Sequence, residues 1–310
     1  MDLIDRAKAN GIAVMAWTAD EGYGRDGAFL DGLDERGEAY VVEVPPNSHV
    51  WLVKPKVLTI PPHNVVGRPK KYPRLRSHER QPSEVQNLAK HSPAFRKQTP
   101  QKYRIKETQR GPDVWEIRWA PCWRKTHTDS LVSLQGTLIV ARNVLTDETK
   151  YFLSNRVPGR DDWSLRQILR VAFGRWPIED CFRETKEELG LDHFECRSWH
   201  CIHRHLFVTI LSQLFCARVR QQLSPSDDVL SGELLTTEQV RHAASVVVGS
   251  IPLPPRIRQQ LYQAESDRQI YHAHRNAQAS QSHRNTRRQR LAELGIHPDQ
   301  IKSVTRKNTT

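Results

Sequence analysis

The chain has 310 residues, enough for two domains, and its 37% apolar content is sufficient for a core but low. A formal net charge of +12 and an isoelectric point near 9.7 imply a polyanionic partner. The longest apolar run, Leu206 to Phe215, is too short for a bilayer and is broken by Thr209, Ser212 and Gln213, which excludes a spanning role; five cysteines without paired spacing point to a reducing, cytoplasmic compartment.

In chain order, Met1 to Asn10 reads as a helix leading through Gly11 into a short apolar strand, Ala13-Val-Met-Ala-Trp17. The strand runs into Thr18-Ala-Asp-Glu-Gly-Tyr-Gly24. An Asp beyond a strand's carboxyl end, followed by glycines that free the turn, is where α/β folds place reactive side chains. Arg25 to Arg36, with Phe29 and Leu33 at helical spacing, predicts a helix, and Ala39 to Val44 a second strand.

From Val66 to Arg110 basic residues greatly outnumber acidic ones, and Arg68, Lys70, Lys71, Arg74 and Arg76 form the densest cluster. Such clusters neutralise phosphates and raise affinity for nucleic acid without selecting a sequence. Neither this stretch nor the basic tail from Arg268 to Lys307 shows the aromatic-faced amphipathic pattern of a membrane-surface helix. Strands are expected near Asp113–Trp119, Ser133–Ala141 and Lys150–Ser154.

Arg175-Trp-Pro-Ile-Glu-Asp-Cys-Phe-Arg-Glu-Thr-Lys186 reads as a helix with Ile178, Phe182 and Leu189 as its apolar stripe. Glu179, Arg183 and Lys186 share another face, with Arg175 one turn upstream. Pro177 suits the first turn and Gly190 the position past the end. The pattern holds a carboxylate beside fixed cations, as a metal and phosphate site requires; as surface ion pairing it is equally ordinary. A buried helix opens at Ser198, with Ile202, Leu206, Ile210 and Leu214 on one face. The nearby histidines and Cys196 and Cys201 lack zinc-ligand spacing, so helix capping or phosphate contact is the expected role for some of them. A further helix follows Thr236, Pro252-Leu-Pro-Pro255 breaks the chain, and the polar basic tail is expected to be partly disordered.

Arg175, Glu179 and Lys186 at R-x3-E-x6-K spacing, followed by Gly190-Leu-Asp-His-Phe194 and Arg197-Ser-Trp-His200, resemble the third catalytic block of DDE transposases of bacterial insertion sequences, whose signature is Y-x2-R-x3-E-x6-K. The tyrosine place falls on Ala172, with Phe173 beside it. The Asp20 turn and Gly37-Glu-Ala-Tyr-Val-Val42 resemble the second catalytic Asp block of the same family.

The resemblance implies an RNase H-like α/β core, incomplete here, divided as 1–44 and 151–222 around a basic and then β-rich insertion at 45–150, with a helical and basic region at 223–310. Asp20 and Glu179 would share a region holding Mg²⁺ or Mn²⁺, two ions in an intact family member, for cleavage and strand transfer at transposon ends. Arg175 and Lys186 would hold terminal phosphates; helical geometry adds Arg183. Double-stranded DNA and a homodimer, or a heterodimer with an intact transposase, are the implied partners, at the nucleoid. Asp-Asp-Thr, the family's usual first Asp motif, is absent from the sequence, and Asp2 and Asp5 fall on the predicted first helix. The chain therefore reads as amino-terminally truncated, with two of three catalytic carboxylates. Two functions follow: a transposase chain inactive by itself, or a non-catalytic DNA-binding remnant that inhibits an intact enzyme. An RNase H-like nuclease unrelated to transposition is disfavoured by the long insertion.

Overall fold

A computed structural model describes residues 1–58, 73–108, 110–126, 131–223 and 235–304. The chain divides into two compact units: residues 1–106, 113–175 and 297–306 form the first, and residues 107–112, 176–296 and 307–310 the second.

The first unit opens with α1 (Asp2–Ala9), β1 (Trp17–Ala19), α2 (Glu21–Gly24), α3 (Gly27–Glu35) and β2 (Tyr40–Val44). It continues with β3 (His49–Trp51), β4 (Val57–Leu58), β5 (Arg74–Leu75), β6 (Ser83–Glu84), α4 (Val85–His91) and α5 (Pro93–Arg96). Then follow β7 (Gln101–Thr108), β8 (Gly111–Arg124), β9 (Gly136–Asn143), β10 (Thr149–Ser154) and α6 (Leu165–Ala172). Among the described residues nine strands make one sheet, ordered β1-β2-β10-β9-β8-β3-β6, with β7 also beside β8 and a ninth, Lys302–Ser303, beside β7, while β4 and β5 pair separately.

β1 and β2 are parallel, Trp17 opposite Tyr40, so α2 and α3 form the crossover between them. The remaining neighbours from β2 through β10, β9 and β8 to β3 are antiparallel. The strands expected in the insertion therefore extend the same sheet. β1 corrects the expected strand at Ala13–Trp17. Its first bond, from the Trp17 N–H to the Ala39 carbonyl (2.8 Å), is set by where β2 begins, and Met15 stands exposed.

Both sheet faces are covered. One packs Val42, Val44, Leu138, Val140 and Leu153 against Leu30 and Leu33 of α3 and Val85 of α4, together with Phe95 of α5. The other packs Val41, Ile117, Ile139 and Phe152 against Ile168, Leu169, Val171 and Ala172 of α6. A capping box, Ser164 with Gln167, starts α6.

The second unit is helical: α7 (Trp176–Leu189), α8 (Trp199–Leu223), α9 (Thr237–Ser250) and α10 (Pro255–Glu293). Thr236 and Gln239 form a capping box at the start of α9, as its position after Thr236 leads one to expect. Polar ties join the helices. Glu184 accepts from Thr237 (2.5 Å) and Arg220 (3.4 Å), and Arg241 pairs with Glu188 (3.2 Å).

Two expectations fail in this unit. The covered face of α8 is not the one through Ile210 and Leu214, which are 59% and 52% exposed. Thr209 and Cys216 are the buried pair, one heptad apart, and partly buried Ile202 lies one heptad before them. Thr209 satisfies its hydroxyl on the His205 carbonyl (2.6 Å), so a polar residue can occupy the inward stripe. The basic stretch expected to be partly disordered is a continuous helix over Pro255–Glu293. After it, β11 (Lys302–Ser303) returns to the first unit and pairs in parallel with β7. Among the described residues no helix is long and apolar enough to cross a membrane.

Candidate functional site

Asp20 stands at the end of β1 as the N-cap of α2. Its Oδ1 accepts from the N–H groups of Gly22 (3.0 Å) and Tyr23 (3.3 Å), which fixes the carboxylate; Oδ2 has no hydrogen-bond partner among the described residues. The side chain is exposed. Of the turn's glycines, Gly24 is sterically required, whereas Gly22 is only closely approached. A Cβ on Gly22 would stand 3.1 Å from Asp20 Oδ1, and one on Gly24 would stand 1.9 Å from the Glu43 carbonyl oxygen. Gly24 therefore lets α2 lie directly on the β2 backbone.

The next helix, α3, is fixed from beneath. Arg124 on β8, 7% exposed, donates to Asp31 (2.5 Å) and Asp34 (2.6 Å) and to the Tyr40 hydroxyl (3.2 Å). Asn155 adds a donor to Asp34 (2.9 Å) and accepts from the Tyr40 N–H (3.0 Å). Burial opposes the charge of Arg124, but Tyr40 and Asp34 outweigh it and hold the guanidinium above its ordinary value. Burial pushes the Tyr40 phenol up and the Cys122 thiol up to about 12. Sequence reading passed over this network. Its one local signal is a pair of acids, Asp31 and Asp34, beside the buried Leu30 and Leu33 of the same helix.

Asp2 and Asp5, the acids ahead of Asp20, lie on α1, and Arg36 binds Asp5 through Nε (2.8 Å) and Nη2 (2.9 Å). That hydrogen bonding lowers the Asp5 carboxyl below its usual range and ties it to α3.

Glu179, Arg183 and Lys186 lie on α7, which belongs to the second unit, whereas Asp20 and Arg175 belong to the first. Glu179 is exposed, as is Lys186, which has no charged partner among the described residues. Arg183 is engaged along its own helix by Asp180 (3.2 Å) and Glu187 (3.0 Å), which raise its pKa in that order. Gly190 takes the left-handed conformation (φ +69°) expected just past the helix, and His205 Nε2 donates to its carbonyl (2.8 Å). The histidine thus ties α8 to the turn that follows α7. The tyrosine place of the signature falls within the core: Ala172 is buried and Phe173 packs on Trp115 (5.1 Å) and Phe152 (5.2 Å).

Of the basic cluster, Arg74 lies in β5, partly buried, and Arg76 just beyond it is exposed; Arg68, Lys70 and Lys71 lie outside the described residues. Carboxylate oxygens are the donor type that Mg²⁺ and Mn²⁺ take. Among the described residues, however, no three His, Cys, Asp or Glu side chains stand together to hold a metal. Asp20 offers one unengaged oxygen rather than a complete metal site.

A family profile described as DDE superfamily endonuclease matches residues 1–112, the stretch that contains the Asp20 turn and its crossover. The match supports a DDE-type, transposase-like family. No curated protein matches the chain.

Proposed function

We propose that the chain is a DDE-type transposase polypeptide of the group with the Y-R-E-K signature, acting on double-stranded DNA in the cytoplasm, at the nucleoid. The observation that carries this reading is the rigid Asp20 carboxylate, held by two backbone N–H groups at the end of β1 inside the stretch that matches the endonuclease family. Asp20 and Glu179 would be the carboxylates that hold Mg²⁺ or Mn²⁺. Such ions activate the attacking hydroxyl and stabilise the leaving oxygen of a phosphodiester. Lys186 on α7, with no charged partner among the described residues, would meet a phosphate, as would Arg175, which precedes that helix. Arg183 would have to leave Asp180 and Glu187 to join them.

The polypeptide by itself would bind DNA without cutting it. No Asp-Asp-Thr occurs in the sequence, and the alternative acids Asp2 and Asp5 lie on a helix, the latter bound to Arg36. A non-catalytic chain that occupies transposon ends, or pairs with an intact transposase and inhibits it, is the second reading these observations favour.

The test incubates the purified chain with duplex DNA and Mn²⁺. The expected result is binding that weakens steeply with salt, by about 0.9 in log K per log salt for each neutralised phosphate, without strand cleavage. Replacing Arg68, Lys70, Lys71, Arg74 and Arg76 by Ala should flatten that slope. Absence of DNA binding overturns the reading. Cleavage that Glu179→Gln abolishes would show instead that the chain is catalytically sufficient.

A further inference from the structure

A cleft of about 340 Å³ opens beside the Asp20 turn, entirely within the first unit. Its lining includes Gly24 and Arg25 at the end of α2, Asn47 and Ser48 ahead of β3 with His49 at its start, and Arg124 and Lys125 at the end of β8. Its volume is that of a small-ligand site. Every charged group that lines it is cationic, with the Asn47 amide and Ser48 hydroxyl as neutral hydrogen-bonding groups.

None of the nearby acids forms an ion pair with Arg25 or Lys125 among the described residues. Asp26, next to Arg25, turns its Oδ1 to the N–H groups of Ala28 (3.0 Å) and Phe29 (3.2 Å). Asp31 and Asp34 both bind Arg124, and two carboxylates outweigh one guanidinium, so the positive charge facing the cleft comes from Arg25 and Lys125. Glu84, opposite His49 in the strand register, accepts from Gln86 (2.9 Å) and Asn87 (3.0 Å). Arg25 and Lys125 are exposed and have no acidic partner among the described residues. Two cations with no ion pair among the described residues, lining one cleft, suit an oxyanion bearing more than one charged oxygen.

We infer that this cleft binds a phosphate group, with Arg25 and Lys125 as its charged jaws and Asn47 and Ser48 as its neutral donors. The assignment of that phosphate to a DNA backbone rests on the transposase reading above. On that reading the cleft is a backbone clamp that seats the duplex beside the Asp20 turn.

The experiment compares the full chain with its Arg25→Gln, Lys125→Gln double variant. Duplex DNA is titrated by fluorescence anisotropy across a salt series, and inorganic pyrophosphate by calorimetry. Both side chains are exposed and unpaired, so thermal melts should match. If they do not, the single variants carry the test at half the effect. Loss of two contacts should lower the salt slope by about 1.8, which is about 60-fold in affinity at 0.1 M salt for curves that meet at 1 M. Pyrophosphate binding should fall at least about tenfold, the loss of a charge-assisted contact. Unchanged titrations of both ligands overturn the inference. Loss for pyrophosphate alone, with wild-type DNA binding retained, keeps the phosphate site and removes the DNA backbone as its occupant. If the wild-type chain binds pyrophosphate through these residues but no DNA at any salt, the site stands and the transposase reading falls.

Discussion

Leu138 and Ile139 in β9 are sealed from solvent, whereas Ile210 and Leu214, in an equally apolar stretch of α8, stand 59% and 52% exposed. A central strand has two faces, and here helices cover both, so an unbroken run of Leu, Ile, Val and Ala is accommodated whole. A helix in a small bundle has cover only along the stripe that meets its neighbours. The rest of the apolar surface of α8, including Phe207, Val208 and Phe215, is left to solvent. Apolarity sets how much cover a segment needs, and the neighbouring elements set how much it receives.

The largest expected effect strikes the sheet side of this contrast. Arg124→Ala should cost about 3–5 kcal/mol in urea denaturation, because it strands Asp31 and Asp34 beneath α3 without their cation. A loss below about 1 kcal/mol would mean that the network is solvated rather than structural. Next, Leu138→Ala should cost about 2–5 kcal/mol while Leu214→Ala stays within about 0.5 kcal/mol, and equal losses would erase the distinction between the two regions.

Gly24→Ala drives a methyl group into the Glu43 carbonyl and should cost about 1–3 kcal/mol, read as a lowered melting temperature.

Alkaline titration sharpens the comparison further. The Cys122 thiol is raised by burial to about 12, so its contribution is fully present below its ordinary value of 9.0 and is lost as pH rises through about 12. Tyr40, raised from 10.0, adds loss in the same direction. Stability should fall above pH 9, and Cys122→Ala should move the onset upward; an identical profile in the variant would refute the buried-thiol contribution. Smallest of all, Arg183→Ala removes two exposed pairs within one helix and should change stability by no more than about 0.5 kcal/mol.

Much of the local structure was legible in sequence. The run Leu138 to Ala141, the helix containing Leu30 and Leu33, and the turn at Asp20 each carry their own signal, because burial pattern, capping chemistry and glycine placement lie within a few residues of one another. The inward stripe of α8 was not, since a helix apolar nearly all round offers several stripes of equal merit and only α7 and α9 choose among them. The long helix α10 was missed for another reason. Its polar, Arg- and Gln-rich composition resembles a disordered tail, yet those residues with Ala are strong helix formers. At the candidate site, Asp20 could be found from its neighbours. The tie from Arg124 to Asp34 could not, because the partners lie 90 positions apart. The cleft drew Arg25, His49 and Lys125 from three separate turns, none of which is distinctive alone.

The short strand β11 gives the chain an unusual mechanical wiring. Lys302 and Ser303 pair with Tyr103 and Arg104, the Val304 N–H donates to the Arg104 carbonyl (2.9 Å), and Arg104 pairs with Asp299 (3.0 Å). The chain thus leaves the sheet unit after Arg175 and comes back to it at His297. A single proteolytic nick among the intervening helices would leave both fragments fastened to the same sheet.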